Sequence, residues 1–379
     1  MVIFTSMIYD IAIIGAGCAG WQLIYHGINY GNWSEKSILL IDQNQEPMVF
    51  PTWCFWSKEK HPFEFLSSKA WPEIQINDRN HLNKVNIDPY QYYYIKGEDF
   101  FDYFQNQFLA ENLNIDFKKP IQVQNISLQN NEIYFIEGLV ESFYSKKVFS
   151  SYSFQKEPYE SEIKLHQNFL GWKIKFKEDI LNSKSAILMD FRNSHDPIFE
   201  FMYLLPFSNN IALVEWTSFY HEDQIEPDYE KKIRSYIDQF FPNRNYEKLE
   251  IENGSIPMSN YPHKNKLDNG IVLIGSAAGL IKSSSGYTFN RITKDSRALI
   301  NGGKRGNSNK RFRYFDTIIL RILRDNPQEA IQIFMAMFRN NKPDLIFKFL
   351  DEESNFFEEI GLFLSLPPKY LIKSVLKGV

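Results

Sequence analysis

A glycine turn set between an apolar strand and a helix limits the possible folds of this chain more than any other feature. Asp10-Ile-Ala-Ile-Ile14 leads straight into Gly15-Ala-Gly-Cys-Ala-Gly20, and a helix-compatible segment follows. In such a turn Gly15 allows the sharp bend after the strand, Gly17 lets backbone N–H groups approach a pyrophosphate, and Gly20 lets the helix pack close to the sheet. A second β-rich run, Ser37-Ile-Leu-Leu-Ile41, ends in Asp42. That acid falls about 20 residues after the last glycine, where a ribose hydroxyl would be held. Each piece alone is a common accident. In this order they predict a β-α-β dinucleotide site over residues 7–50.

The rest of the chain divides by pattern. Residues 57–97 alternate short β-like pieces with turn residues and end in the aromatic strand pattern Tyr90 to Ile95. Glu98 to Leu113 reads as an amphipathic helix with Phe101, Phe104 and Phe108 on its core face. Short strands follow to residue 150, then a polar connection, Ser151 to Glu160. Strand patterns resume at Gly171–Phe176, Ala186–Asp190, Glu200–Pro206 and Ile211–Thr217. Tyr229 to Phe240 reads as a helix. A buried strand, Gly270-Ile-Val-Leu-Ile-Gly275, then runs into Gly275-Ser-Ala-Ala-Gly279 and repeats the opening strand-to-helix logic. Two such turns so far apart imply a nucleotide domain interrupted by a second domain. Thr317–Leu323, Gln328–Arg339 and Asp344–Glu353 read as helices.

Composition narrows the function classes. A net charge of −4 supplies no basic field for nucleic acid. The two cysteines, Cys18 and Cys54, form no C-x-x-C pair, and the scattered histidines form no i, i+4 pair, so neither a disulfide framework nor a metal site is expected. No apolar run reaches the ~18 residues of a membrane span, and the opening residues lack a basic leader, so a cytoplasmic location with peripheral membrane contact is expected. The 33 Phe, 21 Tyr and 7 Trp suit an aromatic core, a large apolar pocket or a lipid-facing surface. The basic run Lys304 to Arg313 reads as a solvated loop or as a contact for anionic headgroups.

From Tyr9 to Pro368 a series of motifs resembles the bacterial lycopene cyclase family of flavoproteins. They are Thr52-Trp-Cys-Phe-Trp56, Gly171-Trp172, Leu204-Leu-Pro-Phe-Ser208, Ala212-Leu-Val-Glu-Trp-Thr217, Gly254-Ser-Ile-Pro-Met258, and Gly286-Tyr-Thr-Phe289 with Arg291-Ile292 and Asp295-Ser296. Phe347-Lys-Phe-Leu-Asp-Glu-Glu353 and Leu364-Ser-Leu-Pro-Pro368 complete the series. The resemblance implies an α/β fold. A discontinuous Rossmann-like FAD-binding domain (7–50 with 98–150 and 266–305) would accompany a β-rich substrate domain (51–97 with 151–265) and a C-terminal helical region (306–379).

It also implies closure of β-rings on the linear ends of lycopene or a similar polyene, without net oxidation, on a flavin held reduced. Such chemistry needs an acid, an apolar pocket and a source of negative charge. Glu215 matches the glutamate that the family requires, although period-2 alternation alone equally allows a surface carboxylate on an edge strand. Asp190 and Glu200 are lesser candidates for proton handling, and Asp190 with Arg192 fits a structural ion pair as well. Cofactor contacts carry over to Gly15, Gly17, Gly20 and Asp42, to Gly275, Ser276 and Gly279, and to Lys282, Gly286 and Tyr287. No second G-x-G-x-x-G occurs, so NAD(P)H is expected as a transient reductant, with a separate reductase as the alternative. The chain departs from the family where Asn-Asp-Arg usually precedes the Thr-Trp-Cys-Phe-Trp motif, having Val49, Phe50 and Pro51, and again at Leu280 and Ser283. On the same fold, a monooxygenase or prenyl-chain reductase acting on another hydrophobic substrate, or a flavin protein without catalysis, are the alternatives.

Overall fold

The strand Ile11–Ile14 and the strand Ile38–Ile41 are buried at every residue, which explains why both read as unbroken apolar runs. The computed structural model describes residues 7–45, 51–153, 163–194, 198–221, 224, 226–305 and 309–367. Between the two strands lies the helix Cys18–Tyr30. They form the centre of a five-stranded sheet in the order Val272–Leu273, Val148–Ser150, Ile11–Ile14, Ile38–Ile41, Ile115–Lys118, all parallel. Trp21 stacks on Phe104 with ring centroids 5.3 Å apart, which seats the Cys18–Tyr30 helix on the segment 97–111. That segment is helical, with a π turn over Tyr103–Phe108, and Phe101, Phe104 and Phe108 are buried in the core. The helix Phe289–Asn301 covers the Cys18–Tyr30 helix.

A seven-stranded sheet forms the second body of the protein. Its order is Tyr246–Ser259, Lys164–Phe176, Ile211–Tyr220, Phe199–Pro206, Ser185–Asp190, Glu73–Asn77, Leu82–Asn86. One face buries Trp172, Met202, Val214 and Trp216 under the helix Tyr229–Phe240, whose first turn is capped by the Asp228 carboxylate accepting from the Lys231 N–H at 3.0 Å. The other face, with Phe201, Leu205, Leu213 and Phe219, packs in one cluster with Trp56, Trp71, Tyr92 and Tyr94. Those aromatics come from a three-stranded sheet of Trp53–Ser57, Gln91–Ile95 and Lys69–Trp71. The C-terminal helices Lys310–Asp325, Pro327–Asn340 and Pro343–Leu350 close the same cluster.

Two local expectations change. The strand expected over 270–275 pairs only at Val272–Leu273, and Gly275–Ala278 is one short 3-10 turn ended by Gly279 at φ +69°. The helix therefore does not open at the glycine turn. The chain makes further turns, with Gly286 at φ +74°, before the helix begins at Phe289. A fourth C-terminal helix, Phe356–Leu364, is present as well. Val49, Phe50, Gly306–Ser308, Pro368 and most of the Ser151 to Glu160 connection lie outside the described residues.

Candidate active site

The two glycine turns converge. Gly15 has φ +104°, and a Cβ there would stand 1.9 Å from the Ser151 Oγ. A Cβ on Gly275 would stand 2.9 Å from that of Ala19, at the start of the Cys18–Tyr30 helix. Ser151, whose hydroxyl donates to the Ile14 carbonyl at 3.0 Å, thus lies beside both turns. Gly20 is pressed against the Gly15 carbonyl oxygen, 2.1 Å from where its Cβ would be, while a Cβ on Gly17 would meet nothing within 4 Å. Gly20 therefore serves packing, while the space over Gly17 is open. The Asp42 carboxylate accepts from the Ala16 N–H at 2.7 Å and the Asn44 N–H at 2.8 Å, which holds it at the end of its strand beside the turn.

From the late turn the chain runs directly to the aromatic face of the seven-stranded sheet. Lys282 is buried, with its ammonium 2.8 Å from Asp316 and 3.0 Å from Glu352. The Ser284 hydroxyl donates to Asp316 at 2.6 Å, and Arg291 also pairs with Glu352. The structure thus places Lys282 in an ion network that ties this segment to the C-terminal helices. Gly286 lies against Gln167 and Ile256, which a Cβ would meet at 2.6 and 3.3 Å. The Tyr287 hydroxyl is 2.9 Å from that of Tyr92, which is 2.6 Å from that of Tyr203. Burial pushes all three phenols up, and pushes the neighbouring Cys54 thiol up to about 12.

Glu215 stands on this face. Strand register sets Tyr203, Glu215, Gly171 and Glu252 side by side across four adjacent strands, and residues paired directly across a sheet share a face. Only Gly171 lacks a side chain, and its Cβ would come within 3.3 Å of the Glu215 Cβ and 3.1 Å of the Glu252 Cγ. The Thr217 hydroxyl donates to Glu215 at 3.0 Å, and the Thr52 hydroxyl donates to Glu252 at 3.1 Å. Glu215 is 9 % exposed, and no cation among the described residues pairs with it. Desolvation first, and the charge of Glu252 next, raise its pKa well above the ordinary carboxylate range.

Asp190 and Glu200 lie elsewhere. Both are on the opposite face, under the helix Tyr229–Phe240. Asp190 pairs with Arg192 and accepts from the Tyr236 hydroxyl at 2.7 Å, while Glu200 pairs with Lys232 at 2.6 Å and accepts from the Trp216 indole at 3.2 Å. Their charges are neutralised where they are, and the sheet separates them from Glu215. The partner that sequence reasoning missed is Glu252, two residues before the Gly254-Ser-Ile-Pro-Met258 motif. The one available signal was a pair of motif glycines, Gly171 and Gly254, in neighbouring strands.

The family model described as "Lycopene cyclase protein" matches residues 10–375. The chain belongs to the lycopene cyclase family. No curated protein matches the sequence significantly. Among solved structures, a geranylgeranyl bacteriochlorophyll reductase-like protein from Thermoplasma acidophilum is similar over 97% of this chain and 98% of its own, at 11% identity and a TM-score of 0.60. PqsL, a probable FAD-dependent monooxygenase from Pseudomonas aeruginosa, is similar over 94% of this chain and 100% of its own, at 10% identity and a TM-score of 0.52. The halogenase PltM, in a complex with phloroglucinol and FAD, gives 14% identity and a TM-score of 0.51 over 91% of this chain and 83% of its own. At these identities the likeness establishes the fold, an α/β architecture shared with FAD-dependent enzymes. The family is one of enzymes, and the fold is one that FAD-dependent enzymes share.

Proposed function

We propose that this lycopene cyclase family member closes β-rings on the linear ends of lycopene or a similar polyene, without net oxidation, with FAD held in the Gly15–Gly20 cradle and Glu215 as the acid. The observation that carries this reading is a buried carboxyl group whose pKa burial raises, on an aromatic wall that the late glycine turn leads into. Ring closure begins with a proton added to the terminal alkene, giving a tertiary carbocation. The neighbouring double bond attacks it, and a proton then leaves the cyclic cation. Burial and the nearby charge of Glu252 favour the protonated form of Glu215, which suits it to give a proton. The aromatic faces of Trp56, Tyr92 and Tyr203 exclude water and favour a passing cation. Reduced flavin, when bound, supplies negative charge near that cation, and NAD(P)H is the proposed transient reductant. Expression in a lycopene-accumulating cell should replace lycopene with a β-ringed carotene. Unchanged lycopene beside folded, flavin-loaded protein would overturn the proposal, and oxygen in the product with NAD(P)H consumed would assign a monooxygenase instead.

A lipid-soluble substrate calls for a membrane surface, and the helix Phe356–Leu364 supplies one. Phe356, Phe357, Ile360 and Leu364 share one face and are 58, 80, 40 and 81 % exposed. The acid Glu359 points inward, held by Arg311 at 3.0 Å and the Ser354 hydroxyl at 3.0 Å. Lys310 and Arg313 are exposed on the helix that carries Arg311, whereas Arg305 of the same basic run is tied to Asp295 at 2.7 Å. Among the described residues no helix is long and apolar enough to cross a membrane. The expected outcome is sedimentation with anionic liposomes that weakens as salt rises, and that is lost in a Phe357→Glu, Leu364→Glu double variant. Failure of the wild-type protein to sediment at low ionic strength would remove the membrane from the proposal.

A further inference from the structure

Two acidic side chains facing each other across a glycine, with no cation between them, call for an explanation beyond the choice of Glu215 as acid. We propose that Glu252 is a positioning residue for that acid, and that Glu215 and Glu252 form a carboxylic acid–carboxylate pair holding a single proton across the gap left by Gly171. The inference rests on the reading of Glu215 as the proton donor and deepens it.

The geometry carries it. Register puts both residues opposite Gly171 on one face, and any larger residue at 171 would press on both side chains. Each carboxyl receives one threonine hydroxyl on an oxygen of its own, Thr217 for Glu215 and Thr52 for Glu252. Two ionised carboxylates that meet in a buried site repel strongly, so one of them retains a proton. Burial raises the pKa of both carboxyls, and the charge of Glu252 raises that of Glu215 further, so the shared proton belongs on Glu215, with Glu252 as its acceptor. The other ionisable groups that bear on the pair are Cys54, Tyr94, Tyr287, Glu250 and Lys173. Lys173 pairs with Glu250 at 3.3 Å, so it leaves Glu215 without a cation of its own.

The pairing gives the acid a direction and a return path. In the resting site the Glu215 proton points at Glu252, out of reach of bulk water. When the proton moves to an alkene carbon, two facing carboxylates remain, and their repulsion makes Glu215 a strong base. The C–H proton that the cyclic cation must lose then returns to Glu215 as the C–H electrons form the ring double bond. Protons balance over the cycle, and no outside acid is consumed.

The test uses the flavin-loaded protein and the variants E252Q and E215Q, with infrared spectra recorded as a function of pH beside turnover. Wild type should show a protonated carboxyl band at neutral pH that is absent in E215Q. In E252Q the like charge is gone while the amide carbonyl can still accept from Glu215, so the band should remain but titrate at lower pH, and the alkaline limb of kcat should move down with it. A band and limb in E252Q unmoved from wild type would overturn the pair while leaving Glu215 as the acid. Full turnover in E215Q would instead overturn the reading beneath it. Gln keeps the Thr52 hydrogen bond, and should E252Q fail to fold, G171A, which presses the two side chains apart, should shift the band in the same direction. An unmoved band in G171A would count equally against the pair.

Discussion

Changing Glu215 to Gln should lower cyclisation by ~100-fold or more, the usual worth of a general acid, with fold and flavin content unchanged. The amide has nearly the shape of the acid. It can still accept from Thr217 and can donate to Glu252, so the buried row of side chains keeps its hydrogen bonds. It cannot place a proton on an alkene carbon, and the first carbocation never forms. Product formation should be followed anaerobically with pre-reduced flavin, so that slow flavin reduction does not imitate a lost acid. Asp190→Asn and Glu200→Gln are the contrasting variants. Each breaks a buried ion pair beneath the helix Tyr229–Phe240, so each should lower Tm and leave the turnover of the folded fraction near wild type. Near wild-type turnover in the Glu215 variant would strike Glu215 from the mechanism.

Glu215 was legible in the sequence only through its motif, because alternation by itself allows either face of a strand. What places it inside is that Ile211–Tyr220 lies third in a seven-stranded sheet covered on both faces, by the helix Tyr229–Phe240 on one side and the aromatic cluster on the other. Glu252 was not legible. Its strand, Tyr246–Ser259, is an edge strand in which Leu249 and Ile251 are exposed, so the hydrophobic pattern that marks a half-buried strand is missing. Its meeting with Glu215 depends on the register of three strands far apart in sequence, which no local pattern encodes. The opening β-α-β unit was legible because its constraints are local: two strands buried on both faces, and a turn in which Gly15 and Gly20 leave no room for side chains. The late turn misled because an apolar run ending in glycines looks the same whether a helix opens at once or ten residues later. The helix Phe356–Leu364 escaped notice since Glu359 is buried on the face turned to the protein while Phe356, Phe357, Ile360 and Leu364 face out, which blurs the usual surface pattern.

The glycines of the opening turn make the second large prediction, because the structure separates their roles. Gly17 has φ −81° and ψ −170°, a backbone that any residue adopts, and its Cβ would enter open space. Leucine at this position should therefore leave the flavin-free protein as stable as before while filling the path by which a pyrophosphate reaches the N–H groups at the start of the Cys18–Tyr30 helix. Gly20→Ala should act the other way, destabilising the protein with or without cofactor, because its Cβ would collide with the Gly15 carbonyl oxygen. The measurement is Tm with and without added FAD. A ligand at ~100 times its Kd stabilises a fold by about 2.7 kcal/mol, so wild type should show a clear FAD-dependent rise. Gly17→Leu should show none, and should purify without flavin absorbance. If that variant retained a full complement of FAD and the same rise in Tm, the pyrophosphate would have to bind elsewhere, and the open space above Gly17 would lose its meaning.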